Sequence, residues 1–475
     1  MIYGLVGNPL AHSYSKEIHE ALKKYEYDLF SLTQEEMREF INSRRFSGLN
    51  VTIPYKKDVI PLCDEISDLA QSIGAVNTLY WKNGSHNVNS QDIKSQDVNS
   101  AGAASSSSLE TSCSCEKILV GHNTDYEGFL YAASRAGISF EKKTVLILGT
   151  GGTSLMARLA VKNKNAGKIY IASRKKTNSP EDNSRRFSKK AGASHVSAGD
   201  DSAAFTTIGY DEIDSIAAKI DVLINTTPVG TYPNNLQSVI SLDAFKNCES
   251  VMDVIYNPFK TKLLLEAEKL GLKTSNGLPM LVAQATAAAG YFLGTPGAFE
   301  KDNERIISQM ERQMRNIVLI GMPGCGKSTI GKIISEITEK PFADIDDEIV
   351  KEAGISIPEI FEKEGEPGFR DRETEITEKL GKQRGRVIAA GGGTVLRRKN
   401  LDALRQNALI IHIKRDLETL ATKGRPLSKD MNTLREMEKI RLPIYRSAAD
   451  ITFDNSKSRS KGKLTEALKE LLGYN

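Results

Sequence analysis

Asn316-Ile317-Val318-Leu319-Ile320-Gly321-Met322-Pro323-Gly324-Cys325-Gly326-Lys327-Ser328 is the stretch on which the fold turns. An apolar run ends in G-x-x-x-x-G-K-[ST], and a helix-compatible run, Ile330 to Thr338, follows it. That order reads as strand, glycine loop and helix. Glycines let backbone N–H groups converge on phosphate oxygens at the positive end of a helix. Lys327 would neutralise the β and γ phosphates, and the Ser328 hydroxyl would ligate Mg²⁺. Gly324, Cys325, Gly326, Lys327, Ser328 and Thr329 are therefore expected to hold ATP. A glycine-rich turn with no ligand is the alternative, and the flanking strand and helix weigh against it. Cys325 fits a small packing residue and needs no role as a nucleophile.

Working outward, the same alternation recurs upstream. Val145-Leu146-Ile147-Leu148 is followed by a helical run, Ser154 to Lys164, and then by Ile169-Tyr170-Ile171-Ala172. This is the βαβ pattern of parallel sheets covered by helices, an α/β fold. Between strand and helix stands Gly149-Thr150-Gly151-Gly152-Thr153-Ser154, a dinucleotide-type turn with Ser154 where a third glycine often stands. The second strand ends at Ser173, and Arg174-Lys175-Lys176 follow. An NAD site wants Asp or Glu there for the ribose 2′-hydroxyl, whereas Arg and Lys suit a 2′-phosphate, so NADP(H) is expected. A solvated basic turn is the alternative. Between the two patterns, Lys301 to Arg315 is charged and helical, which puts a domain boundary near Met314.

The 475 residues leave room for about three domains. With 40% hydrophobic and 26% charged residues, the chain has the balance of a globular protein. Lys plus Arg number 64 against 60 Asp plus Glu, a net charge of +4, which supplies no basic footprint for nucleic acid or anionic membrane. No window approaches about 18 consecutive apolar residues, so no membrane span is expected. Met1 to Gly7 has neither a basic leader nor an apolar h-region, so no export signal is expected. Cys63, Cys113, Cys115, Cys248 and Cys325 are few and odd in number, which suits a reducing compartment. Cys113-Ser114-Cys115 lacks the second ligand pair that zinc wants, and reads as two incidental thiols. A cytoplasmic enzyme acting on small molecules, with no obligate protein partner, fits this set.

Two tracts interrupt the pattern. Asn83 to Glu116 is rich in Ser, Asn, Gly and Ala and too poor in large apolar residues to offset its ordering entropy. It reads as a disordered insertion between two strands. Thr177 to Asp211 is polar with helix-like material at Ser184 to Ala191, and is expected to be variable but partly ordered.

Beyond the phosphate loop come Asp344-Ile345-Asp346-Asp347, with two carboxylates at alternating positions near a strand end, where they would point the same way. Helix capping is the plainer explanation for such aspartates. Gly365-Glu366-Pro367-Gly368-Phe369-Arg370-Asp371-Arg372-Glu373 opens a helix, and Gly391-Gly392-Gly393-Thr394 follows the strand Arg386-Val387-Ile388. Gly424-Arg425-Pro426-Leu427 and Arg441-Leu442-Pro443-Ile444-Tyr445 complete the set. In that order these motifs closely resemble shikimate kinase, over essentially all of residues 315–475. The resemblance implies that Asp344 organises Mg²⁺ with Ser328, and that Asp346 contacts the attacking hydroxyl of shikimate. It implies that Arg370, Gly392 and Arg441 hold the substrate, with Glu373 orienting Arg370. Lys327 and Asp346 would be the catalytic groups of a phosphoryl transfer, and Arg425 would reach ATP phosphates from a lid. The lid segment Thr422-Lys423-Gly424-Arg425 is shorter than the family's, with Thr422 near the place of its adenine-stacking Arg.

Around the dinucleotide turn stand Gly7-Asn8-Pro9-Leu10-Ala11-His12-Ser13-Tyr14-Ser15, Asn50-Val51-Thr52-Ile53-Pro54-Tyr55-Lys56, Gly74-Ala75-Val76-Asn77-Thr78 and Asn123-Thr124-Asp125. Asp253-Val254-Ile255-Tyr256-Asn257-Pro258 and Asn276-Gly277-Leu278-Pro279-Met280-Leu281-Val282-Ala283-Gln284 come after it. Singly, Ser13, Ser15 and Asn77 read as turn or cap residues and Lys56 as a surface charge. Together they resemble shikimate dehydrogenase over about residues 1–312. The resemblance implies a shikimate-binding domain from residues 1–125 with 256–312 and an NADP-binding Rossmann domain at 126–255. It implies shikimate contacts at Ser13, Ser15, Thr52, Asn77, Asp125, Tyr256 and Gln284, and a catalytic pair, Lys56 and Asp125. NADP would be lined by Gly149, Thr150, Gly151, Gly152, Thr153, Ser173, Arg174, Lys175, Val254 and Gly277. Lys16 replaces the family's usual Pro after the second serine. His12 and His122 flank these motifs and are expected to support them, since the Lys–Asp pair accounts for the proton chemistry.

The two modules share a metabolite. The expectation is a bifunctional enzyme that reduces 3-dehydroshikimate with NADPH and phosphorylates the shikimate formed with ATP and Mg²⁺. A quinate/shikimate dehydrogenase preferring NAD, or a catalytically inactive shikimate-sensing half, are the alternatives. Deleting the insertion is expected to leave kcat/KM of both reactions intact; a large loss of the dehydrogenase value in a soluble deletion variant would refute its reading as a passive loop.

Overall fold

The computed structural model describes residues 1–10, 13–83, 117–174, 205–420, 431–457 and 460–474. His12, Lys175, the lid segment with Thr422 and Arg425, Cys113, Cys115, and nearly all of both polar tracts lie outside the described residues. Only the last residues of the second tract are described, and they form a strand, Phe205–Gly209.

One compact unit comprises the described residues up to Phe129 together with Val282–Asn303. Its sheet holds β1 (Tyr3–Gly7), β2 (Asp28–Ser31), β3 (Gly48–Val51), β4 (Glu65–Ile66), β5 (Thr78–Asn83) and β6 (Lys117–His122), in the order β2-β1-β3-β5-β6-β4. β1 runs parallel to β2 and β3, and β5 is antiparallel to β3 and β6. Asn83 pairs with Lys117, so the insertion departs from and returns to adjacent strands. Val6, Leu49, Val51, Leu79 and Leu119 pack against Met37 and Ile41 of the helix Gln34–Asn42. That helix starts where Thr33 and Glu36 exchange side-chain and backbone bonds, a capping box.

The second unit holds two parallel sheets. The first contains β7 (Thr144–Leu148), β8 (Lys168–Ser173), β9 (Phe205–Gly209), β10 (Val222–Asn225), β11 (Ser250–Asp253) and β12 (Lys273–Ser275), in the order β12-β11-β10-β7-β8-β9. Val145 to Leu148 are fully buried, each contributing about 1.5–3 kcal/mol relative to exposure. The sheet runs past the expected boundary at residue 255. Leu263, Leu264 and Ala267 of the next helix pack on Leu146, Leu148, Leu223 and Val251 of the sheet, and the chain then adds β12 to the edge. β12 is three residues long and carries Lys, Thr and Ser, so no hydrophobic pattern marks it.

The other sheet contains β13 (Asn316–Ile320), β14 (Phe342–Asp344), β15 (Val387–Ala389), β16 (Ala408–Lys414) and β17 (Ile451–Asp454), in the order β14-β15-β13-β16-β17. All its pairings are parallel. Helix Lys327–Thr338 begins at the glycine loop, and Gly331 lies against Phe342, where an added Cβ would come within 2.4 Å of the ring.

Glycine is demanded at Gly277, the first residue of helix Gly277–Phe292: an added Cβ would sit 2.0 Å from the Val254 carbonyl oxygen. Gly277→Ala is expected to lower thermal stability and to cut kcat/KM of the dehydrogenase reaction that the resemblance implies at least tenfold. Both should be measured on the full chain, and parent-like values would mean that the backbone there yields freely.

Candidate active sites

In the first unit, strand ends and helix starts gather a polar cluster. Lys56 Nζ lies 2.5 Å from Asp125 Oδ2, with the two side chains 27% and 16% exposed. Asp125 opens the helix Asp125–Arg135, where the positive helix end favours a carboxylate. Asn77 donates from Nδ2 to Asp125 Oδ1 (3.0 Å) and to Gln284 Oε1 (3.4 Å). Its Oδ1 accepts from the Thr124 backbone N–H and the Thr78 hydroxyl, each at 2.8 Å. Asn77 is thus both turn-builder and carboxylate-orienting residue. Asp125 receives a cation on one oxygen and an amide on the other, which holds it in one rotamer and leaves the Lys56 side chain partly open to a ligand.

Other expected residues have more local roles. Ser13 Oγ accepts from Ser15 N–H (3.2 Å), which is the turn reading. Thr52 covers Gly7, where an added Cβ would come within 2.4 Å of the Thr52 methyl. Lys16 pairs at the surface with Glu20 and Asp28, at 3.6 and 3.5 Å. His122 supports the site rather than belonging to its reacting groups. Its Nδ1 meets the Ser67 hydroxyl (2.7 Å) and its Nε2 meets Glu127 Oε1 (2.9 Å). Ser67 and Glu127 were invisible beforehand, because Ser67 reads only as a helix cap and Glu127 only as a helix charge.

In the second unit, Gly149 has φ of 104°, a left-handed turn, and its N–H bonds Ala172 O at 3.1 Å. This lays the glycine turn beside the end of β8, where Ser173 and the exposed Arg174 stand. Gly151 and Gly152 face open space, with no atom within 4 Å of an added Cβ. Gly151 and Gly152 start the helix Gly152–Asn163, so free backbone N–H groups and an open approach coincide, as a dinucleotide pyrophosphate requires. Ser154 is fully buried and donates to the Gly149 carbonyl (2.7 Å), so the residue in the third glycine's place ties the turn closed. Tyr256 is partly buried, which raises the pKa of its hydroxyl.

β10 and β11 end in a buried network that the sequence did not announce. Asp253 Oδ1 accepts from Asn225 Nδ2 (3.1 Å) and Ile255 N–H (3.0 Å), and Oδ2 accepts from the Thr261 hydroxyl (2.7 Å). Burial pushes the Asp253 carboxyl up to about 6, against the pull of these three donors.

In the last sheet, Gly321, Gly324 and Gly326 have φ of 146°, 85° and 101°. Lys327 follows that loop as the first helical residue and donates back to the Gly321 and Met322 carbonyls at 3.0 and 3.1 Å. Ser328 Oγ donates to Asp344 Oδ2 (2.6 Å), an oxygen-only pair that suits Mg²⁺ sharing its shell with phosphates and water. Cys325 is fully buried, and its carbonyl accepts from Asn455, consistent with packing. Asp344 and Asp346 do not alternate along a strand, as the sequence suggested. β14 stops at Asp344, which caps the helix Ile345–Ala353 by accepting from the Asp346 N–H (3.1 Å). The cap, not the strand pleat, draws the two carboxylates together. Burial first, and Asp344 next, push the Asp346 carboxyl up to about 6, while Lys327 opposes.

The three glycines after β15 admit this cluster's side chains. An added Cβ on Gly393 would lie 2.5 Å from Arg370 Nη1, on Gly392 3.3 Å from Arg441 Nη1, and on Gly391 3.1 Å from Asp346 Oδ1. Arg370 Nη1 bonds Glu373 Oε2 (3.1 Å), and Thr394 bonds Glu373 Oε1 (2.6 Å), so Glu373 does orient Arg370. Gly365, with φ of 70°, breaks the helical run ahead of Arg370, so a fresh helix carries it.

A glycine-turn dinucleotide sheet and a Lys–Asp–Asn cluster in one chain are the parts of a nicotinamide-dependent dehydrogenase, and the last sheet has those of a phosphate-loop kinase. Comparison with known proteins makes both particular. A family model for the shikimate dehydrogenase substrate binding domain matches residues 5–79, and one for shikimate kinase matches residues 323–472. The NADP(+) shikimate dehydrogenase of Methanococcus vannielii is 33% identical over 303 residues, 62% of this chain and 92% of that protein. That of Clostridium beijerinckii is 32% identical over 294 residues, 60% and 89% of the two chains. A chorismate mutase/shikimate 5-dehydrogenase fusion protein from Clostridium acetobutylicum is similar in structure, with TM-score 0.50, 30% identity, and coverage of 65% of this chain and 97% of that one. The chain belongs to the shikimate dehydrogenase family and carries a shikimate kinase domain at its C-terminal end. It is an α/β enzyme of the shikimate pathway with an NADP(H) cofactor on one part and ATP with Mg²⁺ on the other.

A pH prediction follows from Asp253. Its carboxyl titrates near 3.8 when unfolded and near 6 when folded, so between those values the fold holds more protons than the unfolded chain. Its contribution is fully present below about pH 4 and falls as pH rises to about 6. Asp253→Asn should remove that slope, so the variant gains about 3 kcal/mol on the parent across this window, two pKa units at ~1.4 kcal/mol each. Denaturant unfolding from pH 4 to 7 measures it, and parallel curves for the two proteins would contradict the buried carboxyl.

Proposed function

We propose that the chain catalyses two consecutive reactions, reduction of 3-dehydroshikimate to shikimate and phosphorylation of that shikimate at a hydroxyl to shikimate 3-phosphate. The observation that carries the reading is the coexistence of an oriented Lys56–Asp125 pair and a complete Lys327, Ser328, Asp344, Asp346 constellation in one chain. A sensing half would have no need of all six groups.

Bound NADPH would supply the hydride, held by Gly149, Thr150, Gly151, Gly152, Thr153, Ser173, Arg174, Lys175, Val254 and Gly277. The open face over Gly151 and Gly152 fits it. Ser13, Ser15, Thr52, Asn77, Tyr256 and Gln284 would surround the substrate's hydroxyls and carboxylate. Lys56 gives a proton to the carbonyl oxygen as it becomes an alcohol, and Asp125, fixed by Asn77, keeps the ammonium aimed. A 1 Å drift of that ammonium would cost more than the bond to Asp125 itself is worth.

Bound ATP with Mg²⁺ would supply the phosphoryl group, held by residues 324–329 with Arg425, the metal by Ser328 and Asp344. Lys327 exchanges its two loop carbonyls for phosphate oxygens. Asp346 accepts the hydrogen bond of the attacking hydroxyl, and Arg370 and Arg441 bind the shikimate carboxylate by charge-assisted bonds. Gly393 leaves room for Arg370, and Gly392 lies against Pro323 and Arg441. Among the described residues no helix is long and apolar enough to cross a membrane. We place the enzyme in the cytoplasm, on small-molecule substrates and without an obligate protein partner.

The test is a coupled assay on purified protein with 3-dehydroshikimate, NADPH, ATP and Mg²⁺, following NADPH loss and shikimate 3-phosphate together, with a parallel NADH arm. Lys56→Ala should abolish only the first step and Lys327→Ala only the second, each by at least a hundredfold. NADPH loss without phosphate ester in the parent would overturn the kinase assignment.

A further inference from the structure

Gln406 and Asn407 precede β16 and are 0% and 1% exposed, an unusual place for two amides. Their partners lie in the dinucleotide domain. Gln406 Nε2 donates to the Asn235 carbonyl (2.6 Å), Asn235 Nδ2 donates back to Gln406 Oε1, and the Gln406 carbonyl accepts from Lys260 N–H (2.9 Å). Asn407 Oδ1 accepts from Phe259 N–H (3.0 Å), and its Nδ2 donates to the Tyr232 hydroxyl. Tyr232 in turn donates to the Gly381 carbonyl (3.2 Å), at the end of the helix Ile357–Gly381. The Asn407 carbonyl accepts from Asn316 N–H (2.9 Å), at the start of β13. A second anchor lies on the helix Asn303–Met314. Lys340 donates to its trailing carbonyls Arg312, Gln313 and Arg315 (2.8, 2.9 and 2.8 Å), and Glu304 at its start pairs with Arg135 (2.9 Å). The connection between dehydrogenase and kinase is therefore a clamped helix, not a loose tether.

The two faces of this clasp are not equivalent. On the kinase side it meets the leading ends of β13 and β16, opposite the edge that bears the phosphate loop, so docking leaves that loop free. On the dinucleotide side it meets the loops that leave the trailing ends of β10 and β11, the edge where α/β sheets bind their ligands. Those loops are rooted in the network already described. Thr226 Oγ1 bonds Leu148 O (2.6 Å) and is the atom nearest an added Cβ on Gly149 (3.0 Å). Thr227 bonds Asn225, Asn225 bonds Asp253, and Asp253 bonds Thr261, one residue beyond Lys260. Short polar contacts, joined through chain neighbours at Leu148–Gly149, Thr226–Thr227 and Lys260–Thr261, thus lead from the glycine turn to the base of the kinase sheet.

We propose that the kinase is docked as a sensor of the dinucleotide domain's cofactor edge: a dinucleotide bound at the Gly149 turn orders the loops after β10 and β11, and through Asn235–Gln406 and Tyr232–Asn407 it steadies the kinase sheet. A ligand that favours the ordered loops stabilises whatever packs on them, and linkage makes the effect reciprocal, so the docked kinase tightens dinucleotide binding. This rests on the reading of the Gly149 turn as the NADP site. It reaches beyond two activities in one chain, because it makes the kinase domain respond to a cofactor that it does not use.

The experiment is amide hydrogen exchange on the full chain, with and without NADPH, read separately for the turn (residues 145–160) and the kinase base (residues 404–412). In the parent, NADPH should slow exchange in both segments, at least threefold at 404–412. Gln406→Ala should keep the first effect, lose the second, and raise the NADPH Kd threefold to tenfold. Asn235→Ala breaks the same reciprocal pair without touching the kinase sequence, and serves if Gln406→Ala is insoluble. Protection at the turn with none at 404–412 in the parent overturns the coupling while leaving the cofactor site standing. No protection at the turn overturns the NADP site, and the coupling with it. Equal protection at 404–412 in parent and both variants would show that the clasp does not transmit it.

Discussion

Parallel pairing of short apolar strands is the constraint from which both nucleotide sites follow. Successive strands of a parallel sheet point the same way, so every connecting loop at one edge leaves a strand's carboxyl end. In the dinucleotide sheet that edge collects the Gly149 turn, Arg174, Val254 and the Asp253 network. In the kinase sheet it collects the phosphate loop, Asp344 and the glycines after β15. Helices begin at the same edge, and their unpaired N–H groups add positive potential where phosphates must bind. The polar residues are distant in sequence only because each strand contributes one loop.

Three aspartates show how environment divides similar groups. Asp125 is paired on both oxygens, to Lys56 and Asn77, with the Lys56 side chain left partly exposed. Asp346 sits buried next to Asp344, which favours its neutral form, with Lys327 pulling the other way. Asp253 is sealed among three donors and no cation, so it is structural: it ties β10, β11 and the following loops together. Glycines play the complementary part. At Gly277 and Gly393 the missing Cβ admits a carbonyl and a guanidinium into space that any other residue would occupy. The kinase arginines converge because three glycines in a row leave nothing else there.

Docking of the kinase on the dinucleotide domain depends on amides that look unremarkable in sequence. Gln406-Asn407 reads as a polar turn between helix and strand, and Tyr232 and Asn235 as loop residues. Buried together they satisfy one another, and an amide buried without that partner would cost about 1–3 kcal/mol.

Much was legible beforehand because it is local. Strand–glycine–helix order at Val145–Ser154 and Asn316–Ser328 marked two nucleotide folds, since a glycine turn and the helix after it are made by neighbouring residues. Family motifs marked Lys56, Asn77 and Asp125, and Arg370, Glu373 and Arg441, and the fold brings each set together. The misses are nonlocal. β12 carries no apolar pattern and exists because β11 offers it an edge, so the nucleotide sheet runs past residue 255. Ser67 and Glu127 brace His122 only once three elements have packed. By itself the sequence determined which residue types stand at strand ends, and so the chemistry available. Tertiary structure alone decided which buried polar groups found partners, because a hydrogen bond across 171 residues between Asn235 and Gln406 depends on packing that no local pattern records.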